Sequence, residues 1–109
     1  MPAMPKPLYK VTFLNAGKVY ELYARHVASG AIWGFTEVGE LVFDVNEGLV
    51  VDPTEERLRD EFGNTRMLHL PMHSIVRIEE VERKAQSAIR DATTGERVVT
   101  QFPMPGKPR

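Results

Sequence analysis

The side chains suited to metal binding or acid–base chemistry are three histidines, at positions 26, 69 and 73, and several carboxylates. His69 and His73, with a nearby carboxylate, have the donor types of a transition-metal site. Pro71 lies between them, however, and breaks the strand on which they would share a face. We therefore predict that the histidines lie in turns or on the surface and do not bind a metal.

Ser74 follows His73, and the two have the residue types of a nucleophile and its base. Neighbouring residues on a strand point to opposite faces, so the pair is not oriented for proton transfer, and the sequence has no GxSxG motif. The adjacent carboxylates of Glu55 and Glu56 are better explained by the positive end of a helix dipole. The sequence thus predicts no catalytic residue, no cofactor and a protein that is not an enzyme.

The turn between Leu70 and Ile75 has side chains suited to recognising a protein partner. An exposed edge or face of a small β domain offers backbone groups and apolar side chains to a partner. We predict an apolar groove or sheet edge at this turn, to which Met72 contributes and which has His73 and Arg77 at its rim.

RNA binding is the alternative, because small β-barrels bind single strands through aromatic side chains interleaved with cations. Tyr23, Arg25 and Trp33 are the residues of this type. Residues 1–82 carry a net charge of −5 (8 Lys/Arg, 13 Asp/Glu), whereas residues 83–109 carry +4 (6 Lys/Arg, 2 Asp/Glu). A basic tail would add salt-dependent affinity for an anionic partner.

Length and composition are those of one globular domain. The 109 residues include 42% hydrophobic and 27% charged residues, which is typical of a chain with a packed core. The absence of cysteine excludes disulfides, thiolate metal sites and a cysteine nucleophile. No apolar run has the length of a signal peptide or of a membrane span, so we expect a cytoplasmic protein without a membrane partner.

Alternating apolar and polar residues predict a β-hairpin near the start of the chain. Residues 9–13 and 18–27 have the strand pattern, and Asn15, Ala16 and Gly17 form the turn between them. Further strands are predicted at residues 32–38, 40–43 and 49–51. Gly34 and Gly39 indicate a bulge or bend of the kind that a small closed barrel needs.

The second half of the chain begins with a helix signal. Asp52 is a predicted N-cap, Pro53 suits the first helical position and Gly63 suits the C-terminal end, which places a helix at about residues 53–62. Residues 65–70 and 75–81 are predicted strands, and the four residues between them a single tight turn. Residues 83–109 are predicted to form a basic, proline-containing tail that is flexible, with a weak hairpin over residues 89–99 as the alternative.

Several motifs resemble a family of short proteobacterial proteins known as domain of unknown function 1820. The most specific are PMH at residues 71–73 and RIEEV at 77–81. The others are YKV at 9–11, GKVYE at 17–21, VVDP at 50–53, EERL at 55–58 and FPMP at 102–105. The resemblance implies a small cytoplasmic bacterial protein and brings no activity or site residue with it.

The segment of strand, proline, turn and strand is also similar to the Sm-like barrel of the stringent starvation adaptor, which hands tagged substrates to a protease. That likeness suggests an adaptor role, although the helix here lies in the middle of the chain instead of at its start.

These observations predict a mainly β fold with two regions. Residues 1–82 form a small SH3-like or Sm-like barrel of about five strands with one short inserted α-helix, and residues 83–109 form the flexible tail. The predicted function is a non-catalytic binding or adaptor module for a protein partner, with RNA binding as the alternative. Because edge strands of small barrels often pair, a homodimer is one predicted arrangement.

Overall fold

The computed structural model of the protein describes residues 6–43 and 53–96. Within these ranges the chain forms one antiparallel sheet, one α-helix and one 3₁₀ turn. In chain order the elements are β1 (Leu8–Asn15), β2 (Lys18–Ser29), β3 (Phe35–Val42), α1 (Pro53–Phe62), β4 (Met67–Pro71), the 3₁₀ turn (Met72–Ser74), β5 (Ile75–Val81) and β6 (Ala88–Asp91).

The strands lie in the order β4-β3-β2-β1-β5, and β6 pairs with β2. The predicted mainly β class with one short helix is confirmed. The sheet of the described residues has six strands where about five were predicted, and it is open, with β4 and β5 at its two ends. The predicted strand at residues 49–51 and the predicted cap at Asp52 lie outside the described residues.

The predicted hairpin of β1 and β2 is confirmed, with register from Tyr9 opposite Ala24 to Asn15 opposite Lys18. Its two loop residues, Ala16 and Gly17, have φ values of 54° and 77°. Positive φ at both central positions matches the right-handed twist of the flanking strands. The hairpin loop is therefore tight, and it places an alanine in a conformation that favours glycine or asparagine.

The long strand β2 is the centre of the sheet. One of its edges pairs with β1, whereas the other is divided between two strands: residues 18–21 pair with β6, and residues 23–29 pair with β3. The core packs on one face of this arrangement. Its buried residues are Val11, Phe13, Tyr20, Leu22, Ala24, Val38, Leu58, Phe62, Leu70 and Ile89.

The helix α1 occupies the predicted residues and covers the core. Leu58 and Phe62, four residues apart, share a face and are buried, and the Phe62 ring meets the edge of the Tyr20 ring with centroids 5.9 Å apart. Gly63 ends the helix by donating its N–H to the Arg59 carbonyl at 2.7 Å. No helix among the described residues is long and apolar enough to cross a membrane.

Residues 83–96 differ from the predicted flexible tail. Ala88 and Ile89 are buried, and β6 pairs with the start of β2 from Lys18 opposite Asp91 to Glu21 opposite Ala88. The fold therefore extends past residue 82 because the first part of β2 offers an open edge and an apolar face to this short strand. Residues 97–109 of the predicted tail lie outside the described residues.

A buried ion pair holds the helix against the segment that leads into β6. Lys84 Nζ lies 2.6 Å from Glu55 Oε2, and their side chains are only 10% and 4% exposed. The same carboxylate oxygen accepts the backbone N–H of Ser87 at 3.1 Å. Lys84 also lies over the Tyr23 ring, 5.1 Å from its centroid. One charged contact thus connects α1, β2 and the segment before β6.

We predict that Ala16→Asn stabilises the protein. An L-residue other than glycine, asparagine or aspartate is disfavoured at positive φ by about 1 kcal/mol, so the substitution should raise the free energy of unfolding by up to that amount. Denaturant unfolding followed by circular dichroism measures the change. Ala31→Asn is the control, since Ala31 is also exposed but has no positive φ, and an equal gain there would contradict the explanation.

We also predict that Lys84→Met destabilises the protein strongly. Removing one partner of a buried ion pair leaves the other charge buried, which costs about 3 kcal/mol. The neighbouring substitution Arg83→Met removes the same charge from an exposed position and should change the free energy of unfolding by less than about 0.5 kcal/mol. Equal unfolding midpoints for the two variants would contradict the expected cost of leaving the Glu55 carboxylate buried without Lys84.

Candidate functional site

The candidate site lies where the loop between β2 and β3 meets the 3₁₀ turn. The loop folds on itself, with Phe35 donating its N–H to the Ile32 carbonyl at 3.1 Å and Gly34 at a φ of 82°. Met72 donates its N–H to the Gly34 carbonyl at 2.9 Å. This hydrogen bond joins the first residue of the turn to the loop, although the two are far apart in sequence.

The two segments enclose a surface groove of about 640 Å³, which we call the corner groove. Its apolar side chains are strongly exposed: Trp33 by 94%, Met72 by 61% and Ile32 by 46%. Single exposed apolar residues are ordinary on protein surfaces, but contiguous apolar patches mark interaction sites. The residues that line the corner groove are Ser29, Gly30, Ile32, Trp33, Gly34, Phe35, Met72 and His73.

The lining of the corner groove is almost free of charge. Among the described residues that line it, none is a lysine, an arginine or a carboxylate, and His73 is the one with a titratable side chain. An apolar, uncharged groove recognises apolar side chains, whereas a nucleic-acid backbone needs cations to neutralise its phosphates.

Three of the residues predicted to bind a partner come together in this groove. Met72 and His73 lie on the 3₁₀ turn, as the sequence analysis expected, and Trp33 reaches the same place from the loop between β2 and β3. Trp33 was predicted as part of an RNA-binding set, so the structure joins residues that the sequence analysis assigned to different partners.

The other three predicted residues lie elsewhere. Arg77 is exposed on β5 and does not line the groove, and Arg25 is exposed on β2, where it donates a hydrogen bond to the Lys6 carbonyl at 2.9 Å. Tyr23 is buried, with 3% of its surface exposed. Its ring lies beneath Lys84, so it does not offer a face on which a base could stack.

Near Arg25, a surface ion pair connects Lys6, which precedes β1, to Glu40 on β3. Lys6 donates to both carboxylate oxygens of Glu40, at 2.7 and 2.8 Å, and this hydrogen bonding lowers the pKa of Glu40 below its usual value. Both side chains are well exposed. An exposed ion pair of this kind contributes little to stability. The charged groups near Arg25, those of Lys6 and Glu40, are thus paired with each other.

Ile32 and Phe35 were not predicted as groove residues, because the apolar pattern placed both in a strand starting at residue 32. The strand β3 starts at Phe35 instead, and residues 30–34 form the loop. The signal that could have shown this is the pair Gly30 and Gly34, since glycines that flank a short segment favour a loop over a strand. Between them, Ile32 and Trp33 are then loop residues and not core residues.

His69 and His73 lie in different elements, β4 and the 3₁₀ turn, whereas His26 and His69 are both neighbours of Glu37, which is the cross-strand partner of His69. His26 Nε2 is 3.7 Å from Glu37 Oε2, while His73 lines the corner groove. His69 lines a second cavity of about 350 Å³ between the end of β1 and β4, and its Nδ1 is buried with no hydrogen-bond partner among the described residues. Within residues 6–43 and 53–96, no group of three or more His, Cys, Asp or Glu side chains could hold a metal ion.

Fold and site together define a small, open, antiparallel β-sheet domain with one covering helix and an exposed apolar groove at a corner. The sequence profile of the family described as "Domain of unknown function (DUF1820)" matches residues 7–104, and the chain belongs to that family. No curated protein and no solved structure matches the chain significantly.

Proposed function

We propose that this protein is a non-catalytic binding or adaptor module that recognises a protein partner through the corner groove. The observation that carries the proposal is the exposure of Trp33, 94% of whose surface is open to solvent beside the exposed Met72. Leaving a tryptophan and a methionine side by side in water forgoes apolar burial, which a partner would supply. The groove volume of about 640 Å³ accommodates apolar side chains of a partner.

The types of residue in the groove favour a protein partner. Tryptophan and methionine are enriched at protein interfaces, where a few buried aromatic anchors contribute most of the binding energy. Methionine adapts its shape to different partners because its side chain is unbranched and flexible. The hydrogen bond from Met72 to Gly34 holds the two sides of the groove together before binding, which lowers the entropic cost of association.

RNA binding remains the second candidate, carried by the exposed Trp33 and Arg25 and by the net positive charge of residues 83–109. Two observations weigh against it. First, Tyr23 is buried. Second, two of the six cations of residues 83–109 pair with carboxylates of the fold: Lys84 Nζ lies 2.6 Å from Glu55 Oε2, and Arg90 Nε lies 3.3 Å from Glu21 Oε2.

We also propose that the fold is related to SH3-like and Sm-like barrels. The end strands β4 and β5 are joined by three residues only, so the sheet must curl to bring its two ends to one turn. This connection supports kinship with SH3-like and Sm-like barrels, whose exposed edges and grooves recognise other molecules. We propose a cytoplasmic location together with this binding role.

The protein carries its own reporter for a test of this proposal, because Trp33 is its one tryptophan. A partner captured by crosslinking from a bacterial lysate, with and without nuclease, would be identified, purified and titrated against the full chain. We expect nuclease-resistant capture and a blue shift of Trp33 emission that saturates with the partner, since the indole leaves water on binding.

Substitutions then locate the interface. We predict that Trp33→Ala or Met72→Ala raises the dissociation constant by about thirtyfold, the effect of losing an interface anchor. Leu14→Ala is the matched control, because Leu14 is 45% exposed but lies outside the corner groove. Capture that disappears with nuclease would move the assignment to RNA, and equal affinities for all three variants would exclude the corner groove. Turnover of a small molecule by the purified protein would contradict both candidates.

A further inference from the structure

The free edge of β5 is a second surface with the features of an interface. Among the described residues, β5 ends the sheet and pairs with β1 alone. Its other edge presents backbone N–H and C=O groups in a row, which is a template for another strand. Two apolar side chains of this strand are also exposed, Val76 by 61% and Ile78 by 40%.

The pairing of β5 with β1 fixes which residues alternate along this edge. The register is continuous from Leu8 opposite Val81 to Thr12 opposite Arg77, and it shifts at the next pair, which makes Val76 a bulge. Residues 77–81 are therefore a regular strand. Arg77 and Glu79 lie on one face of this strand, where Arg77 Nε is 3.7 Å from Glu79 Oε2. Their side chains are 66% and 39% exposed.

We propose that this edge pairs with β5 of a second copy of the chain, antiparallel, about a two-fold axis that passes through Ile78. In this register Arg77 of each copy lies opposite Glu79 of the other, and the two Ile78 side chains meet at the axis. The interface is isologous, since both copies use the same residues.

Backbone geometry restricts the alternatives to a few registers. Successive residues of a strand direct their hydrogen-bonding groups to opposite edges, and two residues that face each other in an antiparallel pair must both point toward the shared edge or both away from it. A residue thus meets only residues at an even separation from itself. The two-fold axis must therefore pass through a residue and cannot pass between two.

The charges that face each other across the two strands favour one of these registers. An axis through Arg77 places two arginines opposite each other, and axes through Glu79 or Glu80 place like carboxylates opposite each other. Like charges directly opposite are destabilising, whereas opposite charges stabilise a cross-strand pair. The axis through Ile78 is the one within residues 77–80 that gives two opposite-charge pairs and a central apolar contact.

The interface is small, because it consists of one strand from each copy, and stable dimers bury much more surface. We therefore expect a weak dimer that forms with rising protein concentration. The proposal does not depend on the corner groove, whose lining contains no residue of β5.

Sedimentation equilibrium of the full chain, from low to high micromolar concentration, tests this inference. We expect the average mass to rise from the monomer value of 12.3 kDa toward twice that value. Arg77→Glu and Glu79→Arg should each raise the dissociation constant by about tenfold, because two attractive pairs become repulsive in each symmetric dimer. The double variant with both reversals should restore the wild-type dissociation constant.

The control is Arg83→Glu, which makes the same change in net charge at an exposed position outside β5. Circular dichroism of each variant verifies that the fold is retained, and Ile78→Lys, which places two ammonium groups at the axis, is a second disruptive variant. A wild-type chain that stays monomeric would overturn the proposal. Single reversals without effect, a double reversal that does not restore pairing, or an equal loss in Arg83→Glu would also overturn it.

Discussion

The whole structure depends on the pairing of β2 with three partners. This strand has twelve residues, and its two edges serve β1 over most of its length, β6 at its start and β3 toward its end. Its buried side chains Tyr20, Leu22 and Ala24 form the middle of the core. Because the strand is shared in this way, its first part is covered by the helix and β6, while its last part projects toward the loop that carries Trp33. The corner groove thus lies at the end of the same strand whose earlier residues form the middle of the core.

The helix is attached by two kinds of contact that differ in physical character. Leu58 and Phe62 bury apolar surface, which gives stability without strict geometry, whereas the ion pair of Glu55 with Lys84 has a fixed distance and direction. A buried ion pair is weak evidence for net stability, since desolvation offsets the attraction. Its effect here is positional: it sets where the chain runs before β6 and so permits Ile89 to enter the core.

The hairpin and the helix could be predicted from the sequence because the residues that determine each of them are close together in the chain. The hairpin followed from alternation and from the Asn15–Gly17 turn, and the helix followed from Pro53 and Gly63. Residues 89–91 of β6 were predicted only as part of an alternative weak hairpin, because Ile89 is the single large apolar residue of this strand. Its place depends on the open edge of β2, which lies some seventy residues away in the chain. In the candidate site, Met72 and His73 were predicted from the turn after Pro71. Ile32 and Phe35 were not predicted as groove residues because apolar and aromatic residues favour strands. Trp33 was assigned to an RNA partner because the hydrogen bond between Met72 and Gly34, which brings its loop to the 3₁₀ turn, is not visible in the sequence.

The three residues of the 3₁₀ turn connect the two ends of the open sheet, and this has a thermodynamic consequence. The turn begins at Met72 on the wall of the corner groove and is followed directly by Ile75, the first residue of β5. A molecule that displaced the turn would also move the first residue of the edge strand. Any free energy of coupling between occupancy of the groove and occupancy of the edge would be equal in both directions, since linkage is reciprocal. Pro71, whose ring fixes its φ, is the stiff residue at the entrance of this short connection.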